Sequence, residues 1–215
     1  MRFIDPDGMD IIPTGTTDEK KDQFQNLQKL TNDKLMLSPK SGMVLIQKHG
    51  GANADKKLAA GTKLIETLYS SAKTVTIGET TGSGNYANTA DRKANGEADW
   101  TNAENGKGSN ALVNIDPTSD PAIPTVNPST GNVSPQKGRP SQVGYAHELI
   151  HALHIINGSV NTTETTYIYP TSSGYQGEKV IMEELRTIGL SGNNSSDITE
   201  NQIRSEQGQN PRGGY

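Results

Sequence analysis

The residues whose types and spacing could do chemistry are His147, Glu148 and His151, which form an HExxH motif. Two histidines four residues apart lie on one face of a helix, about one turn from each other. Their imidazole nitrogens can then bind one Zn²⁺. Glu148 lies next to the first histidine and can act as the general base of a hydrolase. The motif therefore predicts a zinc site that carries out hydrolysis.

The two histidines leave this site one protein ligand short, because a catalytic zinc takes three and keeps one position open. An extended form of the motif places a third histidine beyond a glycine, but no histidine stands there. A downstream helix could instead supply a carboxylate, from Glu183 or Glu184. Adjacent helical residues are rotated by about 100°. One glutamate should therefore bind the metal, and the other should hold a ligating histidine or an arginine.

His154 lies seven residues after His147, nearly on the same face of the helix but two turns further on. Two turns span about 10 Å along the helix axis, which is too far for both side chains to bind one tetrahedral zinc. His154 is therefore expected to support a ligand from behind or to pack in the core.

The HExxH segment has other interpretations. It could be an amphipathic core helix with two incidental histidines, and the downstream glutamates could lie on a solvated helix face. It could also hold a structural zinc with Glu148 as a bystander. The presence of Glu148 argues against this, because a structural site needs no base.

The composition limits the classes of protein that are compatible with the chain. With 215 residues, 31% of them hydrophobic, and with 23 glycines and 11 prolines, we expect one domain with a modest core and long loops. A net charge of −4 without a basic block argues against a nucleic-acid partner. No cysteine is present, so zinc must be bound by histidines and carboxylates. We expect a monomer without a membrane span, and residues 1–15 carry no signal-peptide pattern.

Hydrophobic periodicity predicts alternating helices and strands, with the HExxH helix as the strongest element. An apolar strand precedes that helix and an acidic helix follows it. This is the order expected of an α+β, zincin-like metallopeptidase with a small mixed sheet, an edge strand beside the cleft and a glutamate-bearing helix downstream. The predicted helices cover 20–33, 57–71, 142–156, 178–188 and 197–206, the strands cover 43–47, 74–77 and 111–116, the stretches 78–109 and 117–140 are irregular, and 159–177 is a loop or hairpin.

At these residues the chain resembles two groups of proteases. The run 147–154, Gly158 and the run Glu183-Glu184-Leu185-Arg186-Thr187 resemble the zinc site of the clostridial neurotoxin light chains. They also resemble the NleD-like effector proteases, which bacteria inject into host cells. That second resemblance continues through 186–190, 200–204 and 211–212, and it covers roughly residues 140–215.

The NleD-like resemblance implies a role for each of these residues. It implies that the zinc ligands are His147, His151 and Glu184, that Glu148 is the general base and that Glu183 is a supporting residue. These proteases also place an arginine and a tyrosine, spaced RxxY, beside the substrate carbonyl.

Arg212 and Tyr215 have the RxxY spacing. A cation and a phenol at these positions could stabilise the oxyanion of the tetrahedral intermediate. The other interpretation is a disordered chain end. Because Tyr215 is the last residue of the sequence, its placement would lack support from following chain.

Residues 1–9 resemble the end of an Rhs/YD-repeat core, where polymorphic toxins join a variable C-terminal payload. An ordinary Asp-Pro-Asp-Gly turn would look the same. The resemblance implies a linker at residues 1–16 and a metallopeptidase domain at residues 17–215. It also implies that the chain is secreted, or delivered into a target cell, as part of a larger protein.

The predicted function is that of a zinc-dependent endopeptidase toxin or effector that hydrolyses a protein in a target cell. The substrate is expected to add as an extended strand beside 111–116, and an immunity protein could bind the domain. A zinc hydrolase acting on a cell-wall peptide or small amide is one alternative. A non-catalytic, metal-containing binding module is another.

Overall fold

The computed structural model describes residues 10–53 and 55–215. In that part of the chain ten strands and six helices follow one another as an α+β fold, which confirms the predicted class. In chain order they are β1 Ile11–Pro13, α1 Thr17–Leu30, β2 Asp33–Leu37, β3 Val44–Gly51, α2 Ala59–Tyr69, β4 Val75–Glu79, β5 Tyr86–Thr89, α3 Thr101–Glu104, β6 Ala111–Ile115, β7 Ile123–Val126, β8 Val133–Gln136, α4 Ser141–Asn157, β9 Glu164–Thr171, β10 Gly174–Ile181, α5 Met182–Ile188 and α6 Glu200–Glu206.

The central sheet has four strands in the order β1-β4-β6-β5. Strands β1, β4 and β6 are parallel, and β5 runs antiparallel to β6. Residues 11–13, which form β1, fall within the segment predicted to be a linker. The residues that resemble an Rhs core, 1–9, lie outside the described residues.

The strand beside the cleft is β5. Strand β6 has β4 on one side and β5 on the other, so the expectation that 111–116 is an edge strand open to a substrate is wrong. The edge is formed by Tyr86–Thr89, within the stretch predicted to be irregular. Its sequence, Tyr-Ala-Asn-Thr, has little apolar character, and its pairing with β6 determines its conformation.

Helix α4 is the centre of the fold. Every residue from Val143 to Ile156 is buried, because the sheet and other helices surround it. The helix ends at Gly158, whose φ of 68° lies in the left-handed region. Such a helix has no broad solvated face, so the polar side chains of the HExxH motif must find partners inside the protein or in a cleft.

The elements after α4 differ from the predicted ones in their boundaries. Strands β9 and β10 form a hairpin, which the prediction for 159–177 allowed. The predicted helix 178–188 begins only at Met182, because residues 178–181 complete β10. Strands β7 and β8 form a second hairpin in the stretch predicted to be irregular.

Among the described residues, no helix has the length and apolar character that crossing a bilayer requires.

The C-terminal end of α4 should be sensitive to any side chain at position 158. A Cβ on Gly158 would lie 2.6 Å from backbone atoms of Gly106 and Gly108, whereas a Cβ on Gly131, at a similar φ of 73°, would meet nothing within 4 Å. We expect Gly131→Ala to lower the free energy of unfolding by about 1–2 kcal/mol, the cost of a left-handed φ. Gly158→Ala should lower it by at least about twice as much. Urea unfolding of both variants measures this difference, and equal losses would contradict it.

Candidate active site

Three side-chain atoms from two helices converge at the floor of a cleft. The Nε2 atoms of His147 and His151, both on α4, are 3.1 Å apart. Glu184 Oε2, from α5, lies 3.3 Å from each of them. The three atoms therefore form a nearly equilateral triangle, and their residues form a group that could hold a metal ion.

The dimensions of this triangle fit a tetrahedral zinc ion. Zn–N and Zn–O bonds of about 2.0–2.1 Å at tetrahedral angles place neighbouring ligand atoms about 3.3–3.4 Å apart. Within the described residues, Glu184 Oε2 is buried and has no hydrogen-bond partner. A buried carboxylate oxygen is costly without a partner. The donor set and the orphaned oxygen therefore fit Zn²⁺.

The far nitrogen of each histidine faces a second carboxylate. His147 Nδ1 lies 2.8 Å from Glu200 Oε2, and His151 Nδ1 lies 3.0 Å from Glu183 Oε1. An ionised carboxylate only accepts hydrogen bonds, so each Nδ1 carries a proton and donates it. In the neutral imidazole, the lone pair of Nε2 is then directed into the triangle, where a metal can use it.

Glu183 supports two histidines at once. It accepts hydrogen bonds from Nδ1 of His151 and from Nδ1 of His154, which lies 2.6 Å away, and from the backbone N–H of Asn161. Burial alone would raise the pKa of Glu183, but the two histidines outweigh it and bring the pKa to about 2. His154 is thus buried behind the metal group, in contact with a carboxylate that orients a candidate ligand.

Glu200 contacts a candidate metal ligand, although the sequence predicts no role for it. Its Oε2 accepts hydrogen bonds from His147 and, at 3.2 Å, from Arg212 Nη1, and its Oε1 lies 3.3 Å from Arg204 Nη1. Burial would raise its pKa, but His147 and Arg212 hold it well below its usual range. The sequence carries two weak signals for Glu200: its i,i+4 spacing from Arg204, which is common on helices, and the resemblance that runs through 200–204.

Glu148 lies in the same cleft as the metal group and is buried. Burial raises its pKa above the usual value, although His147 and His151 partly oppose this effect. A carboxylate with a raised pKa is a better proton acceptor than an exposed one, as a general base requires.

Arg212 and Tyr215 also reach the cleft. The backbone of Arg212 makes an isolated β-bridge with Thr125, and its N–H donates to Asn201 Oδ1 at 2.7 Å. Its guanidinium lies 5.2 Å from the centre of the Tyr215 ring, a cation–π distance. Gly214 lets the tail pack closely, because a Cβ there would lie 2.7 Å from Tyr169.

The cleft around these groups has a volume of about 590 Å³. The structure brings together His147, His151 and Glu184 with Glu148, Arg212 and Tyr215, while Glu183 and His154 lie behind the histidine ligands. Apart from these residues, the cleft is lined by Gly84, Asn85, Tyr86, Ala87, Trp100, Ser119, Pro121, Ala122, Ile123, Pro124, Arg139, Ile155, Val160, Thr162 and Ile181.

The candidate metal ligands, two histidines and a glutamate, are a donor set typical of metallopeptidases. The family to which the sequence belongs agrees with this chemistry. The model of the Peptidase M91 family, described as "Effector protein", matches residues 15–215. The chain therefore belongs to the Peptidase M91 family, which confirms the resemblance to NleD-like effector peptidases. The Rhs/YD-repeat context stays a prediction.

Solved structures of botulinum neurotoxin light chains are similar to part of this chain. The serotype C1 light chain protease is 17% identical with a TM-score of 0.36, over 52% of this chain and 27% of that one. The serotype HA light chain is 16% identical with a TM-score of 0.38, over 82% of this chain and 37% of that one. The matches thus span about a third of the light chains or less. No curated protein matches the chain.

Replacing Glu200 should destabilise the protein. Glu200→Gln leaves the buried guanidinium groups of Arg204 and Arg212 without a carboxylate. We expect the free energy of unfolding to fall by about 3–5 kcal/mol, as when one partner of a buried ion pair is removed. Urea unfolding measures the loss. The exposed Glu97→Gln is a matched control that should change stability by less than about 0.5 kcal/mol, and equal stability of the two variants would contradict this role of Glu200.

Proposed function

We propose that this chain is a zinc endopeptidase that cleaves a protein in a target cell. The observation that carries the proposal is the triangle of His147, His151 and Glu184, with Glu148 in the same cleft. In the proposal these three residues bind Zn²⁺, and Glu183 and His154 support the ligands from behind. Membership of a peptidase effector family supports both the chemistry and the delivery into a cell.

The proposed reaction is hydrolysis of a peptide bond with Glu148 as general base. Zn²⁺, when bound, supplies Lewis acidity that polarises the carbonyl group and water. Glu148 takes a proton from the attacking water and later passes it to the leaving amine. The raised pKa of Glu148 suits both transfers, because the group must accept the proton and release it again.

Arg212 and Tyr215 are proposed to stabilise the negative charge that develops on the carbonyl oxygen. Burial raises the pKa of Tyr215, so its hydroxyl keeps its proton and can donate a hydrogen bond. Arg212 is held by Glu200 and by the carbonyl oxygen of Gly214, which its Nε–H contacts at 2.9 Å. These contacts fix the cation before a substrate arrives.

The substrate is proposed to bind as an extended strand along β5 rather than along β6. Tyr86 and Ala87 of β5 line the cleft. Among the described strands, β5 pairs only with β6, which leaves the polar backbone groups of its other edge for an added strand. An edge strand beside the reacting groups favours a polypeptide over a small amide.

We further propose that the domain is monomeric, is part of a larger secreted protein and has an immunity protein as a partner.

Two variants should separate proton transfer from metal binding. Glu148→Gln should keep about one zinc per chain and lose at least about 10²-fold in turnover of a proteome-derived peptide library, because it lacks the base. Glu184→Ala should lose both zinc and turnover. Elemental analysis and peptide sequencing by mass spectrometry measure the two properties.

The exposed Glu97→Gln is the control for these variants and should match the parent in both measurements. Peptide cleavage that survives Glu148→Gln would contradict the proposed base. A parent chain that takes up no zinc after reconstitution would contradict the metallopeptidase itself.

Tyr215→Phe removes only the hydroxyl that is proposed to face the oxyanion. We expect kcat to fall by about 10²-fold or more, as when one oxyanion donor is lost, while KM and zinc content stay unchanged. The control is Tyr175→Phe, since Tyr175 is 83% exposed in β10. An unchanged kcat in Tyr215→Phe would exclude this role.

A further inference from the structure

The cleft contains a cation that the proposed mechanism does not use. Arg139 comes just before Pro140, the N-cap of α4, and it lines the cleft together with Glu148. Among residues 10–53 and 55–215, its guanidinium makes no hydrogen bond and no ion pair. Burial lowers the pKa of Arg139, and the charges of Glu200 and Glu148 oppose this effect only in part, so the partly buried cation has lost some of its water.

The first turns of α4 leave room for this guanidinium. A Cβ on Gly144 would lie 2.8 Å from Arg139 Nη2. The head of Arg139 therefore rests directly on the helix backbone at Gly144. A glycine inside a helix costs about 1 kcal/mol relative to alanine, and here its missing side chain provides the space for Arg139.

A second hydrogen-bond donor points to the same place. The same Cβ on Gly144 would lie 2.9 Å from Asn85 Nδ2. Asn85 Oδ1 accepts a hydrogen bond from the backbone N–H of Asp116 at 2.9 Å, which fixes the amide with its NH₂ group toward Arg139. Asn85 also lines the cleft, and within the described residues no acceptor binds its Nδ2. The guanidinium of Arg139 and the amide of Asn85 thus meet at one place, and no acceptor among the described residues binds either of them.

Two carboxylates, those of Glu200 and Glu148, attract the charge of Arg139 without a hydrogen bond or ion pair to it. Glu200 accepts hydrogen bonds from His147, Arg204 and Arg212. Glu148 is the proposed base, and a tight ion pair with Arg139 would keep it from accepting a proton. Desolvating a guanidinium without a partner is costly, so an anion that enters the cleft gains by completing the site.

The distance along α4 limits which part of a substrate can reach this site. Gly144 and Glu148 are four residues apart and lie on one face, about 6 Å along the axis. An extended peptide advances about 3.3 Å per residue. A substrate group on Arg139 therefore belongs to a residue within about two positions of the bond that Glu148 serves.

We propose that Arg139 and Asn85 form a subsite for the carboxylate side chain of an aspartate or glutamate within about two residues of the cleaved bond. The forked guanidinium can bind both carboxylate oxygens, and the Asn85 amide can add a third hydrogen bond. The subsite makes Arg139 a specificity-determining residue. This proposal rests on the proposed peptidase function.

One test measures binding without turnover. The zinc-loaded protein is titrated with N-acetyl-aspartate methylamide or N-acetyl-asparagine methylamide, and the Nε–H signal of Arg139 and the side-chain amide signals of Asn85 are followed by NMR. We expect the aspartate compound to shift both sets of signals and to bind about tenfold more tightly than the asparagine compound. Arg139→Gln should abolish that preference, while Lys137→Gln, which removes a neighbouring exposed cation, should keep it. Equal binding of the two compounds would overturn the proposal.

The second test uses cleavage of a proteome-derived peptide library. The parent and Lys137→Gln should select aspartate or glutamate at one position near the cleaved bond. Arg139→Gln should lose this selection at least about tenfold, Arg139→Lys should retain part of it, and Arg139→Glu should favour lysine or arginine instead.

The two tests distinguish the subsite from the peptidase. Cleavage without acidic selection, or with a selection that Arg139→Gln does not change, would overturn the subsite and leave the peptidase intact. Selective aspartate binding by a chain that cleaves no peptide would support the anion site while contradicting the proposed reaction.

Discussion

The hydrogen bonds of Glu200 are the interaction on which the rest of the active site depends. One carboxylate joins three parts of the chain, because its partners are His147 on α4, Arg204 on α6 and Arg212 in the tail. All four side chains are buried, so breaking any of these contacts would leave a polar group with little water to replace its partner. The hydrogen bonds of Glu200 therefore fix two groups at once: His147, a candidate zinc ligand, and Arg212, a candidate oxyanion-binding group.

Glu183 has the corresponding role for His151. Its neighbour Glu184 has a different role, so the two adjacent glutamates are not interchangeable. Glu183 lies behind His151 and His154, whereas Glu184 faces the cleft. The rotation of about 100° between adjacent helical residues lets α5 place one carboxylate behind the histidine and one in front of it. His147 and His151 thus meet carboxylates from two different helices at Nδ1, and both meet Glu184 at Nε2.

The local parts of this site could be predicted from the sequence, and the non-local parts could not. The HExxH spacing and the long apolar run predict α4, because the contacts that define a helix lie within four residues. The pairing of Glu200 with His147 joins residues 53 positions apart, and no local pattern encodes it. Strand β5 was missed for a related reason, since its polar sequence becomes a strand only by pairing with β6. The hairpin of β7 and β8 is short and lies in a proline-rich stretch.

Buried polar groups in folded proteins almost always have hydrogen-bond partners, so the exceptions indicate where a ligand belongs. Among the described residues, one such exception and one partly buried pair of donors lie in this cleft. Glu184 Oε2 has no donor, and the two histidine lone pairs beside it make the position one for a cation. The partly buried donors of Arg139 and Asn85 have no acceptor among the described residues, which is why we propose that theirs is a position for an anion. In the proposed enzyme, a metal ion occupies the first position throughout the reaction. The second is completed only while an acidic substrate is bound, so the free energy of that contact is available for selecting the substrate.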